Sequence, residues 1–358
     1  MDVSPEYQSD HGGKMKALCD EQALRRNALM KSSRWPWIVS ALVLALLSPA
    51  SPSNSAALTV KVGYPQLSGG SMPLWVIAKN KLDQRYGVDV KPIYIAGGAI
   101  LTHSLIAGDV DIALTGGAVV GAILGGADLT YVGIGLSTYA FTVYARPDIK
   151  DVHDFRGKVF GVITKGASSD HAAIALFKRY GIRYAQDVKI LYFARQGDLL
   201  ASLQKGIISG GVFSSPTTVM AKRLGFKKLV DIASFKYPYP HNAIATRKSL
   251  IRQNPEVIKG FLKSYLASIK IIHEQPEVAK RALADFLGTK DPEMIDDSYQ
   301  SLSDLFLKVP YMPEEAIRTV LALSDNPKAA AADPKDFYDN SLLKELEDSG
   351  FVKELYSH

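Results

Sequence analysis

At 358 residues the chain is long enough for one large domain or two moderate lobes, each with its own core. Hydrophobic residues make up 47% and charged residues 22%, which excludes a disordered or fibrous chain. The net charge of +6 comes from 42 Lys and Arg scattered among 36 Asp and Glu, with no dense basic block to follow a phosphate backbone, so no nucleic-acid partner is expected.

In chain order, the first feature is the uncharged run Trp35 to Leu47, WPWIVSALVLALL. Arg25, Arg26, Lys31 and Arg34 precede it, and Ser, Pro, Ala and Asn follow it through Ala57. A basic stretch, a short apolar stretch and a small-residue exit describe a secretory signal, here with a cut expected between Ser53 and Ala57. The run is shorter than the roughly 20 apolar residues that a bilayer span takes. Residues 1–57 are therefore expected to be export signal and leader, and the mature chain to be soluble outside the cytoplasm. A start at Met30, or a twin-arginine reading of Arg25-Arg26, would both fit this leader. Cys19, the only cysteine, lies within it, so a disulfide, a Cys-based zinc site and thiol chemistry are not expected of the mature chain.

Beyond the leader the sequence repeats itself. Gly63 returns as Gly161, Asp89-Val90-Lys91 as Asp187-Val188-Lys189, Ser104-Leu105 as Ser202-Leu203 and Gly108 as Gly206, each at a separation of 98. Arg85-Tyr86-Gly87-Val88 matches Arg179-Tyr180-Gly181-Ile182 with a local shift of four. In the first copy the spacing predicts strands over 58–63, 88–95 and 110–114, with helices over 73–85 and 99–107. In the second it predicts strands over 158–163, 188–193 and 210–213. Short Val- and Ile-rich runs bounded by Gly, alternating with helical spacing, imply right-handed βαβ crossovers and an open, parallel-rich sheet in each copy.

Ligands of open α/β sheets sit at the carboxyl ends of the strands. Six such turns are predicted: 65–73, 96–99, 115–118, 164–170, 195–198 and 214–218. All carry Gly or Ser where a helix starts, which lets ligand atoms approach the backbone and offers unpaired N–H donors. Lys165 and Arg195 are the only basic residues within them. An organic solute with one anionic or polar end is therefore favoured over a small, strongly hydrated anion. The remainder is helical: Pro then Glu at 255, 276, 292 and 313 mark helix starts. Residues 326–334 read as a linker before a final amphipathic helix near 341–346.

These ordered features resemble the ABC-transporter solute-binding proteins of the nitrate/sulfonate/taurine and thiamine-pyrimidine (NMT1/THI5-like) superfamily. The stretches VGYPQLSGGSMPLWVIAKN, RYGVDVKPIYIAGGAILTHSLIAGDVDIALTGGAVVGAILGGADL, DIKDVHDFRGKVFGV, SSPTTVMAKRLGFKKLVDIA and TRKSLIRQNPEVIKGFLKSYLASI carry the resemblance, which runs from about Thr59 to Leu323. It implies an α/β, type II periplasmic binding-protein fold: two Rossmann-like lobes with parallel-rich sheets, two crossover strands and a C-terminal helical extension. Lobe I is expected over 58–145 plus 241–358 and lobe II over 146–240, with crossings near Ala145-Arg146 and Tyr239–Ala245.

The resemblance also implies that the solute contacts are Ser68, Gly70, Ser71, Gly97, Gly98, Thr115, Gly116, Ser168, Ser169, Gln196, Ser214 and Ser215. Tyr64 and Tyr237 are added as aromatic residues that could stack on a planar ligand at the cleft mouth. The expected function is non-catalytic: a monomer captures a small organic solute (a sulfonate, taurine-like compound, carboxylate or heterocycle) and delivers it to an inner-membrane ABC permease with its ATPase. No cofactor, metal site or catalytic residue is expected. The rival readings are an exported sensory protein and, at greater distance, a pyrimidine synthase-like enzyme. His103, His153, His171, His241 and His273 show no HxxxH or HExxH spacing, and Gly161–Ser168 lacks the Lys-Ser/Thr of a phosphate loop.

Overall fold

The computed structural model describes residues 57–357, so the expected signal and Cys19 lie outside the described residues. In chain order it contains β1 (Leu58–Tyr64), α1 (Met72–Asn80), β2 (Val88–Tyr94), α2 (Gly98–Ala107), β3 (Ile112–Thr115), α3 (Ala118–Leu124), β4 (Leu129–Gly133), β5 (Leu136–Thr138) and β6 (Thr142–Ala145). There follow β7 (Val159–Ile163), α4 (Ser168–Arg179), β8 (Lys189–Phe193), α5 (Gln196–Gln204), β9 (Gly210–Phe213), α6 (Thr217–Arg223), β10 (Lys227–Asp231), β11 (Pro238–His241) and β12 (Ala243–Arg247).

Two five-stranded sheets result, and they share one topology: β2-β1-β3-β12-β4 in the first, β8-β7-β9-β6-β10 in the second. In each, the first three strands are parallel and the fourth runs antiparallel to both of its neighbours. That fourth strand comes from a connecting segment. β6 carries the chain into the second sheet and β12 returns it to the first, while β5 and β11 pair as a two-stranded ribbon between them. Sheet membership thus changes before Thr142, ahead of the expected crossing at Ala145-Arg146.

The repeat has a packing basis. β3 is buried throughout, β1 buries Val60 and Val62 on one face and Gly63 against Leu101 on the other, and β2 buries Val88 and Val90 on one face. A chain buried on both sides must be apolar throughout and flanked by helices. One continuous core runs through both lobes by way of Tyr139, Phe141 and Tyr239. A second lies under β1, where Val60, Val62 and Ile77 meet Phe261 and Leu262.

The C-terminal helices are α7 (Lys248–Gln253), α8 (Pro255–Glu274), α9 (Pro276–Leu287), α10 (Pro292–Gln300), α11 (Glu314–Ala322), α12 (Ser341–Asp348) and α13 (Phe351–Tyr356). Proline opens α8, α9 and α10, where its missing N–H costs nothing. None of the described helices is long and apolar enough to cross a membrane.

Two expectations from sequence do not hold. The helix predicted over 73–85 ends at Asn80, with Lys81 in the left-handed region as its cap. Asp83, 5% exposed, turns instead toward β2 and accepts the Val90 amide at 2.7 Å. Residues 326–334 are not a free linker: Asn326 and Asp333 cap two short 3-10 turns, and Ala329 and Phe337 are buried in the core.

Candidate functional site

Strand ends from both sheets meet at a seam. A cavity of about 30 Å3 there is lined by Pro65, Gln66, Gly97, Gly98, Thr115 and Gly116 on one side and by Ile163, Ala167, Ser168 and Ser169 on the other. Phe141 and Asn242, from the connecting segments, complete the wall. Glycine is what lets the two sides come this close. A Cβ on Gly97, whose φ is +90°, would lie 2.8 Å from Thr164 Oγ1; one on Gly116 would lie 2.2 Å from Ser168 Oγ and 3.0 Å from the Pro240 carbonyl oxygen. Thr164 and Asn242 themselves hold positive φ values of 42° and 49°. A β-branched residue at positive φ is strained, and such strain gathers at binding sites.

The volume corresponds to about two water molecules.

No charged side chain lines this cavity. The polarity comes from the backbone and from neutral groups. Helices α1, α2 and α4 begin at or beside it, with Ser71, Gly97 and Ala167 as N-caps, none of which caps its helix through a side chain. The free N–H groups at the starts of α2 and α4 carry the partial positive charge of the helix ends, whereas at α1 the Met72 N–H bonds the Gly69 carbonyl and Pro73 has none. Asn242 Nδ2 and Ser71 Oγ are buried and have no hydrogen-bond partner. A buried polar atom left unmet costs about 1–3 kcal/mol, so Asn242, which lines the cavity, favours a polar guest; Ser71 lies off the wall.

Of the residues expected from sequence, the structure brings Gly97, Gly98, Thr115, Gly116, Ser168 and Ser169 together on the cavity wall. The Ser169 hydroxyl is bound to the Ile163 backbone N–H and C=O at 2.9 and 2.8 Å, so it holds the turn. Gly70 lies beside the wall: a Cβ there would be 2.4 Å from Asn242 Nδ2. Ser68 and Ser71 are buried in the same turn. Gln196 is buried at the start of α5 with neither amide atom paired, and it does not line the cavity. Ser214 and Ser215 line a separate chamber behind Phe141.

The two tyrosines are placed elsewhere. Tyr64 shares the Val60–Val62 face of β1, and its ring packs on Trp75, Tyr94 and Phe286 inside lobe I. The two-residue period of the strand puts it there. Tyr237 accepts a bond from Arg179 at 3.1 Å in an outer groove with Ala175 and Leu323. Lys165 and Arg195 are exposed and off the cavity wall.

Sequence reasoning missed Asn242, Phe141 and Gln66. Asn242 had a usable signal, since Asn is among the few residues that tolerate the left-handed region between two strands.

Further contacts join the lobes around the seam. The Gly69 amide donates to the Ser215 carbonyl at 3.4 Å. Tyr239 Oη accepts the Gly117 amide at 3.0 Å and lies 3.0 Å from His171 Nδ1, so one phenol ties α3 to α4. Burial pushes His171 down to about 4, against the opposing pull of Asp325, which leaves the ring neutral and Nδ1 free to accept the phenol hydrogen. At the far side of the seam, Arg223 of α6 pairs with Asp291 and Glu293 of α10, and Lys222 with Glu293 at 3.0 Å. Ser215 and Thr218 donate to Asp297 of α10 at 2.6 and 2.9 Å.

Known proteins share this fold. A protein from Bordetella bronchiseptica RB50 superposes with a TM-score of 0.71 at 17% identity, over 81% of this chain and 97% of its own. The periplasmic nitrate-binding protein NrtA from Synechocystis PCC 6803 gives 0.69 at 13%, over 82% and 89%. The periplasmic aliphatic sulphonate binding protein SsuA from Escherichia coli gives 0.64 at 21%, over 80% and 99%. A search of the curated proteins gives no match. The family model described as NMT1/THI5 like matches residues 84–279, more than half of the chain. A periplasmic binding-protein fold and a family match of that extent coincide, and the chain belongs to the NMT1/THI5-like family.

Proposed function

We propose that the protein is the exported substrate-binding component of an ABC importer, which captures a small organic solute between its lobes and hands it to a membrane permease. The observation that carries the reading is the cavity at the seam: both lobes contribute strand-end turns to it, and its polar groups include the N-termini of α2 and α4 and the unpaired Asn242 amide. Such a lining holds an oxyanion or a polar end by hydrogen bonds, without a formal cation. Gly97, Gly98, Thr115, Gly116, Ser168 and Asn242 are the proposed contacts.

Binding needs a solute with greater affinity for the closed arrangement, and no covalent step. The relatives' names, periplasmic sulphonate- and nitrate-binding proteins, support export and an anionic or polar solute end. The wall without charged side chains favours an organic solute over a strongly hydrated ion. A sensory role would use the same capture step and differ only in the docking partner.

Thermal-shift screening against nitrate, alkanesulfonates, taurine, aromatic carboxylates and pyrimidines tests the reading. A solute at 100 times its Kd adds about 2.7 kcal/mol of stability. Consumption of the bound solute would instead establish an enzyme.

A further inference from the structure

A second chamber lies behind Phe141, which lines both it and the cavity at the seam. It measures about 160 Å3 and is enclosed by the cleft-facing ends of β6, β9 and β10 and by α10. Thr142, Tyr144, Ser214, Ser215, Thr218 and Ser301 supply its neutral polar wall, and Lys228, Asp231 and Asp297 its charged groups.

The charge in this chamber is unbalanced. Asp231 is matched by the exposed Lys228 at 3.1 Å. Asp297 has no cationic partner among the described residues, and both of its side-chain hydrogen bonds, from Ser215 and Thr218, fall on Oδ2. Its Oδ1 is left to another donor. Ser214, 6% exposed, lines the same space with an unpaired Oγ. Burial chiefly, and after it the carboxylates of Asp297 and Asp231, raises the Tyr144 phenol.

With Lys228 taken up by Asp231 on the same wall, the free Asp297 oxygen amid hydroxyls suits a monovalent cation. A divalent ion takes more oxygen ligands and more charge, and no group of three or more metal-ligating side chains occurs among the described residues. We infer that the chamber receives the protonated amine of the solute, with Asp297 as its counter-ion and Ser214 as a neutral acceptor, so that the protein prefers zwitterions to simple acids. The inference rests on the capture reading above and names the solute class for it.

Titration calorimetry with two matched pairs, taurine against ethanesulfonate and β-alanine against propionate, tests it on the wild type, Asp297→Asn and Ser214→Ala. The wild type is expected to bind the aminated member of at least one pair about tenfold tighter. Asp297→Asn should bring that ratio near one, and Ser214→Ala should reduce it. Asp297 also joins the lobes, but losing that role would weaken both members alike and leave the ratio intact. Equal or tighter binding of the unaminated members, or a ratio that survives Asp297→Asn, overturns the inference while capture stands. Binding of none of the four contradicts the inference and, for small acids, the capture reading as well.

Discussion

Gly63 and Gly161 hold the same place in the two sheets. A Cβ on the first would lie 2.3 Å from Leu101 Cδ1, and one on the second 2.3 Å from Leu199 Cδ1. Their strand neighbours, Ala113 and Gly211, are likewise 98 apart, as are the two leucines. Each glycine lets an inward leucine of the helix after the neighbouring strand, α2 or α5, touch the sheet. Alanine at either position should destabilise by about 1–3 kcal/mol through overpacking. Gly161→Ala should cost more, because the added Cβ would also stand 2.7 Å from Ile208 Cδ1, whereas in the first sheet the next neighbour, Val110, is at 3.4 Å. Denaturant midpoints of the two variants check the order.

The repeated register explains why so much of the architecture was legible. A separation of 98 that recurs at Gly63, Asp89 and Gly108 reflects one packing solution used twice, and packing of that kind constrains residue type. Strand ends followed from Gly and Ser at the turns, and the family resemblance pointed within those turns to six of the cavity residues. Asn242 and Phe141 did not, because their segments serve as connections between lobes and have no counterpart pattern to read. Tyr64 was misassigned because its place at a strand end was weighed and its parity with Val60 and Val62 was not.

Asn242 is expected to be a solute donor. Asn242→Gly keeps the left-handed backbone open to the residue while removing Nδ2. Affinity for the captured solute should fall about three- to tenfold, the range of one neutral hydrogen bond, and the melting temperature should change little. Isothermal titration beside a melting curve separates the two effects. Gly70→Ala, whose Cβ would displace Asn242 Nδ2, should weaken binding in the same direction.

The ion pairs between α6 and α10 favour closure from the rim. Arg223 is exposed, so its pairs with Asp291 and Glu293 are screened by salt. Arg223→Ala should weaken solute affinity about two- to fivefold at low salt. At 1 M salt, where the Debye length is about 3 Å, the difference should vanish. An effect that persists at high salt would point to packing.

Acid should loosen the fold through two histidines. Burial holds His171 and His241 at about 4, whereas an exposed imidazole titrates near 6.5. Between those values the unfolded chain binds protons that the folded chain refuses, so stability is complete above about pH 6.5 and falls as pH drops toward 4. A tenfold difference in proton affinity between the two states is worth about 1.4 kcal/mol, so two buried rings make the loss on the order of several kcal/mol. Melting temperatures across the range from neutral pH down to about 4 should decline, and His241→Gln should flatten the slope. A slope identical to wild type would show that His241 carries none of the acid sensitivity.

Closure of the two lobes over a solute at the Gly116–Ser168 seam is the central claim. Gly116→Trp places an indole where a single Cβ already meets Ser168 Oγ at 2.2 Å. The direct measurement is the thermal shift caused by a binding solute in the wild type and in this variant, with each melting cooperatively on its own. Closure at the seam predicts a clear shift in the wild type and none in Gly116→Trp; an undiminished shift in the variant would contradict it.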